Sequence, residues 1–284
     1  MHKANAKQQF YSYNSNLMIS VLGCGWLGMP LAKDFAKSEV SIKGSTTKTE
    51  KLKEIAKNDI VPFLIQLNNL DANTVLRFLE NEILFINVPP GRNNPDPEAY
   101  VNNLKALDIC LSQSRIEKVI FVSSTSVYKE NNSVVTEESE ISTDETAQRL
   151  FKAEEIFRNN TNVETTVIRM SGLIGPNRHP GRFFAGKENI PNGLSPVNLI
   201  HLEDCIGIIK SVIRQNYWGQ TINASAITHP TKKEFYTKAT ENYNGSSASF
   251  KEENQQFKII SSDKLLRDLD YEFKHPDLMK WLEE

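Results

Sequence analysis

Three glycines in LMISVLGCGWLGMPLAKDF, Gly23, Gly25 and Gly28, have the spacing G-x-G-x-x-G that lets a main chain wrap a diphosphate. Gly23 permits a tight turn after a strand, Gly25 lets the backbone approach a pyrophosphate, and Gly28 lets the next helix pack closely on its sheet. Free amides and the positive end of the helix dipole then face the anion. A second cluster, Ser123, Ser124, Thr125, Ser126 and Tyr128 in EKVIFVSSTSVY, groups hydroxyls able to hold or protonate a carbonyl or alcohol oxygen. A third runs through GPNRHPGRFFAGK. There His179 titrates near neutrality, and Arg178, Arg182 and Lys187, interleaved with Phe183, suit a phosphate or carboxylate.

These groups need a parallel sheet to position them. Apolar runs at 17–22, 39–43, 60–66, 83–88, 118–123, 165–170 and 220–224 alternate with amphipathic helical stretches, which predicts an α/β fold. The fold class is a Rossmann-type doubly wound parallel sheet with a smaller C-terminal substrate lobe. Tyr100, Leu104, Leu107 and Leu111 share one helical face that should cover the sheet, and Leu27, Leu31 and Phe35 form the buried stripe of the helix after the glycines. The polar, acidic stretch 129–146 reads as a surface loop, and a helix is expected over 203–215. The core is expected at 17–175, completed by 197–224. The substrate-side lobe takes 176–196 and 225–284, behind a loose polar tail at 1–16.

The end of the second strand selects the dinucleotide. An NAD site places Asp or Glu there for the ribose hydroxyls, whereas this chain has Gly44, Ser45, Thr46, Thr47 and Lys48. Hydroxyls and one cation favour the 2'-phosphate of NADP over NAD. The same residues also suit a helix cap, with Thr47 as N-cap and Glu50 completing a capping box.

The remaining composition narrows the classes. A formal net charge of -2 leaves no basic footprint for nucleic acid. Three separated cysteines, Cys24, Cys110 and Cys205, make neither a disulfide framework nor a C-x-x-C metal site, so no metal is expected and a reducing cytoplasm fits. No apolar run is long enough for a membrane span, and the first residues lack the apolar stretch of a signal peptide. Met18 stands directly before the first strand, which makes it an alternative start to Met1.

SSTSVY resembles the S-S-x-x-V-Y segment of extended short-chain dehydrogenases/reductases, the NAD(P)-dependent epimerase/dehydratase superfamily. VIRMSGLIGPNRHPGRFFAGK, NLIHLEDCIGII and GQTINAS resemble that superfamily's later landmarks in the same order. GCGWLGMPLA and RHPGRFFAGK are similar to its atypical YeeZ-type branch, and the resemblance covers roughly residues 17 to 280. It implies a cofactor site of Gly23, Gly25, Trp26, Leu27, Gly28, Ser45, Thr46, Thr47, Lys48, Asn87, Val88, Pro89 and Ser123. It also implies a small-molecule substrate and a monomer or homodimer.

Active extended members carry Y-x-x-x-K on the helix after the serine strand. TAQRLFKAEE places Thr146 at the Tyr position and Leu150 at the Lys position, and no tyrosine occurs between Tyr128 and Tyr217. Ser124 is what remains of the triad, with His179 and Tyr128 as replacement proton carriers and Arg178, Arg182, Phe183 and Lys187 as substrate contacts. His201 and Asp204 read as structural, Asp204 as a helix cap. Two functions compete: an oxidoreductase or epimerase-like enzyme on a small polar or sugar-nucleotide-like substrate, and a non-catalytic NADP-binding sensor.

Overall fold

The computed structural model describes residues 17–38, 40–91 and 96–284. The stretch 1–16 lies outside them, as does Glu39 at the expected start of the second strand. The strands are β1 (Met18–Leu22), β2 (Ser41–Thr46), β3 (Val61–Leu64), β4 (Ile83–Ile86), β5 (Lys118–Ser124), β6 (Ser133–Val135), β7 (Glu164–Met170), β8 (Gly172–Ile174), β9 (Leu199–His201), β10 (Thr221–Ala224) and β11 (Lys258–Ile260). The helices are α1 (Gly28–Ala36), α2 (Leu52–Ala56), α3 (Ala72–Phe78), α4 (Ala99–Leu111), α5 (Glu145–Arg158), α6 (Leu202–Arg214), α7 (Lys232–Asn244), α8 (Asp263–Leu269) and α9 (Leu278–Trp281).

All seven strands expected from apolar runs join one parallel sheet, in the order β10-β7-β5-β4-β1-β2-β3. The strand order reverses beside β1, which pairs with β2 on one side and β4 on the other. This switch point is where open α/β sheets leave a crevice at the carboxyl ends of their strands. Leu27, Leu31 and Phe35 are buried, as are Tyr100, Leu104, Leu107 and Leu111, so both helical stripes face the core as their spacing requires.

Two compact units divide the chain. The first comprises the described residues up to Ser123 with Arg149–Val167 and Val212–Gln220; the second comprises Ser124–Gln148, Ile168–Ser211 and Thr221–Glu284. This division differs from the expected boundary near 175, because 124–148 and β8 to β10 group with the C-terminal part of the chain. Short pairings organise the second unit: β6 runs parallel to β11, and β8 parallel to β9. Residues 129–146 therefore contain a strand where a plain loop was expected. Ile174, Val197, Leu199, Phe235, Leu278 and Leu282 contribute to this unit's own apolar core. Among the described residues no helix is long and apolar enough to cross a membrane.

Candidate functional site

In the first unit the glycine turn has the geometry its spacing requires. Gly23 sits at φ 99°, and a Cβ there would lie 2.6 Å from the Asn87 carbonyl oxygen. A Cβ on Gly28 would collide with the Gly23 carbonyl, so only glycine lets α1 start this close to the turn. Gly25 differs from both: it is exposed, and open space surrounds its Cα hydrogens. α1 has no side-chain cap and no acidic residue in its first turn, so its own sequence brings no negative charge to the positive end of its dipole. Pro30 lies in that first turn, where a missing N–H costs no intrahelical bond.

The end of β2 is wired into the same turn. Ser45 Oγ accepts from the Gly23 amide at 3.0 Å, and the Ser45 carbonyl accepts from the Cys24 amide at 2.8 Å. The Asn87 amide donates to the Leu22 carbonyl at 2.9 Å, bringing β4's end alongside. Thr47 and Lys48 are exposed, and Val88 and Trp26 are half-buried. The expected Thr47 cap and its capping box do not form: Lys48 holds the N-cap position of a short 3-10 turn without a side-chain bond. Thr46 Oγ1 instead accepts the Lys48 amide at 3.2 Å, one residue earlier than the spacing argument placed the cap.

Ser123 is 6% exposed and donates through Oγ to Glu154 at 2.5 Å. Glu154 is fully buried on α5, a partner that sequence reasoning missed because it lies 31 residues further on. Leu150, at the Lys position of the family motif, is also buried, while Lys152 stays exposed and pairs with Glu98 at 3.8 Å. No lysine of α5 therefore takes Leu150's place.

In the second unit, Ser124 is half-buried and caps a 3-10 turn by accepting the Ser126 amide at 3.1 Å. Its own hydroxyl hydrogen remains a donor. Tyr128 corrects an expectation. Its phenol is 1% exposed, donates to Asn223 Oδ1 at 2.7 Å and accepts from Arg169 Nη1 at 2.7 Å. Burial pushes its pKa up to about 12, so the group expected to pass protons is sealed in a polar network. Glu137 closes that network by accepting the Asn223 amide at 2.7 Å.

His179 is half-buried, and its Nδ1 accepts the Gly181 amide at 3.2 Å, which puts the proton of the neutral ring on Nε2. Its ring stacks on Tyr243 at 5.5 Å between centroids, and burial lowers its pKa. Arg178 Nε donates to the Leu173 carbonyl at 2.9 Å, while the Arg182 guanidinium lies 4.9 Å from the ring centre of exposed Phe183. Lys187 Nζ sits 5.8 Å from the ring centre of Phe184. The loop thus presents cations on aromatic faces, with Arg178 bound to its own base.

Asp204 is structural, but not as the expected cap. His201 occupies the place before α6 and its Nδ1 accepts the Glu203 amide at 3.3 Å, whereas buried Asp204 reaches the C-terminal segment. It accepts Tyr271 OH at 3.0 Å, the Lys274 amide at 2.7 Å and the His275 amide at 3.0 Å.

A glycine turn after β1, set at the switch point of a seven-stranded parallel sheet, defines a Rossmann-type fold of the short-chain dehydrogenase/reductase kind. No family model matches the chain. The chain nevertheless belongs to the YeeZ family: it is 30% identical over 265 residues to Protein YeeZ of Escherichia coli (strain K12), covering 91% of this chain and 96% of that protein. Among solved structures it is similar to a short-chain dehydrogenase/reductase superfamily protein from Agrobacterium tumefaciens with bound NAD, at 15% identity and TM-score 0.79, covering 94% and 95% of the two chains. It is also similar to UDP-glucuronic acid 4-epimerase from Bacillus cereus in complex with NAD, at 18% identity and TM-score 0.77, covering 94% and 96%.

Proposed function

We propose that this protein binds a nicotinamide dinucleotide on the Gly23–Gly28 turn and acts as an oxidoreductase or epimerase-like enzyme on a small polar or sugar-nucleotide-like substrate. The observation that carries the reading is the glycine turn: two glycines locked by sterics, and a third, Gly25, facing open space at the uncapped start of α1. NAD in the Agrobacterium and Bacillus proteins supports the cofactor class. The β2 end, without a carboxylate and with Thr47 and Lys48 exposed, favours NADP within that class. Ser45 and Ser123 shape the pocket through their bonds to Gly23 and Glu154.

Ser124 orients the reacting oxygen with its free donor, His179 handles the proton through Nε2, and Arg178, Arg182, Phe183 and Lys187 hold an anionic substrate. Tyr128 has no proton-transfer role in this scheme. A second reading, a cofactor-binding sensor without turnover, is favoured by buried Leu150 at the family's Lys position and exposed Thr146 at its Tyr position. One experiment separates the two. The purified protein is loaded with NADPH or NADH, and absorbance is followed against sugar nucleotides, aldehydes and keto acids. Turnover reduced by Ser124→Ala and by His179→Ala supports the enzyme; tight cofactor binding with no turnover on any class selects the sensor.

A further inference from the structure

The start of α6 and the C-terminal segment bring together three groups that the cofactor chemistry does not use. Ligand atoms of His201, Glu203 and His275 lie within 4.8 Å of one another. His275 Nε2 is 2.9 Å from Glu203 Oε2, and the two imidazole centres are 4.0 Å apart with their planes at 61°. The backbone under this cluster is fixed, since buried Asp204 accepts the amides of both Lys274 and His275. His275 Nδ1 is buried without a hydrogen-bond partner, and Glu284 Oε2 lies 3.5 Å from it. The lone pair of the neutral His201 ring sits on Nδ1, where it accepts the Glu203 amide at 3.3 Å, and a cation bound by His201 takes over that lone pair from the amide.

We propose that His201, Glu203 and His275 form a site for one zinc-class divalent cation that staples the C-terminal segment to the start of α6. Two imidazoles and one carboxylate are a donor set that such a cation takes, with water in the fourth position. Metal–ligand bonds of about 2.0–2.2 Å require the ligand atoms to close by roughly an ångström, a movement within side-chain rotation. His275 binds through Nε2, giving up its bond to Glu203. Its single proton then resides on Nδ1, where Glu284 accepts it, the carboxylate–histidine–metal arrangement that orients and strengthens such ligands. Lys274 Nζ, 3.7 Å from Glu203 Oε1, is the resident competing cation and leaves Oε2 to the metal. The site stands apart from the nicotinamide proposal and holds whether or not the protein turns over.

The test uses the full chain, stripped with EDTA and desalted, and titrated with zinc chloride against a chromophoric chelator, with cobalt chloride in a parallel visible-absorption series. Expected are one equivalent bound per chain, a four-coordinate cobalt spectrum and a rise in melting temperature with zinc. Glu203→Gln and His275→Gln should each weaken binding about tenfold or more, and Glu284→Gln by about 10-fold to 100-fold. If His275→Gln lowers the melting temperature of the metal-free protein, the half-exposed Glu203→Gln decides. Zinc bound no more tightly by the native chain than by the Glu203→Gln, His275→Gln double variant overturns the proposal, as does cobalt that stays six-coordinate.

Discussion

Ser45 Oγ accepts the Gly23 amide at 3.0 Å, which ties the carboxyl end of β2 to the glycine turn after β1, the two segments proposed to hold the dinucleotide. The Ser45 hydroxyl, a candidate cofactor contact by sequence, also serves as part of the turn's own scaffold. Ser45 is 2% exposed, so Ser45→Ala leaves the Gly23 amide without its partner and should cost about 1–3 kcal/mol of stability. Thermal or urea unfolding measures the stability loss, and affinity for NADPH and NADH should weaken by a similar factor. A selective loss of NADPH alone would show Ser45 contacting the 2'-phosphate.

Lys48 is the selective counterpart. It is exposed at the N-cap of the 3-10 turn and makes no cap bond there, so Lys48→Ala should leave folding unchanged. Binding titrations should show NADPH affinity falling about tenfold, equivalent to about 1.4 kcal/mol, with NADH affinity held. Equal affinities for both cofactors before and after the change would contradict the NADP preference.

Tyr128→Phe separates architecture from chemistry. Removing the phenolic oxygen leaves Asn223 Oδ1 and the Arg169 guanidinium short of a buried partner, a loss of about 1–3 kcal/mol. Turnover per folded molecule should be unchanged where it is measured. A large fall in kcat with stability intact would return Tyr128 to the reaction.

Asp204→Ala tests the clamp on the C-terminal segment. Three donors lose one buried carboxylate, and a destabilisation of about 3 kcal/mol or more is expected, with faster hydrogen exchange at Lys274 and His275. Asp204→Asn retains one acceptor oxygen and should recover part of that loss. Native-like exchange in the alanine variant would show the segment to be held by other contacts.

The large elements were legible because each carries its own periodicity. β1, β4 and β5 are largely apolar runs, MISVL, ILFI and KVIFVSS, and the face of α4 reads directly as Tyr100, Leu104, Leu107 and Leu111. What escaped depends on partners distant in sequence. β6 and β11 are three residues each and become strands by pairing with each other, so neither has a local signal. His275 meets Glu203 across 72 residues, and Tyr128 meets Asn223 across 95. The cap near Thr47 slipped by one residue because Thr46 and Thr47 offer the same hydroxyl, and it is buried Thr46, not exposed Thr47, that accepts the Lys48 amide. Side-chain identity named the candidate chemistry; burial then removed Tyr128 from it and gave Ser123 to Glu154.

Gly25 gives the most direct test of dinucleotide binding. Open space surrounds the place where its Cβ would be, so Gly25→Ala should leave the melting temperature within about 2 °C of the native protein, while Gly23→Ala should lower it markedly through positive-φ strain and the Asn87 carbonyl. Measured by titration of intrinsic fluorescence with NADPH and with NADH, the native chain should bind one or both. Gly25→Ala should weaken that binding at least about tenfold by placing a methyl where the pyrophosphate lies. Binding of neither cofactor to the native chain, or equal binding to native and Gly25→Ala proteins, would contradict the account.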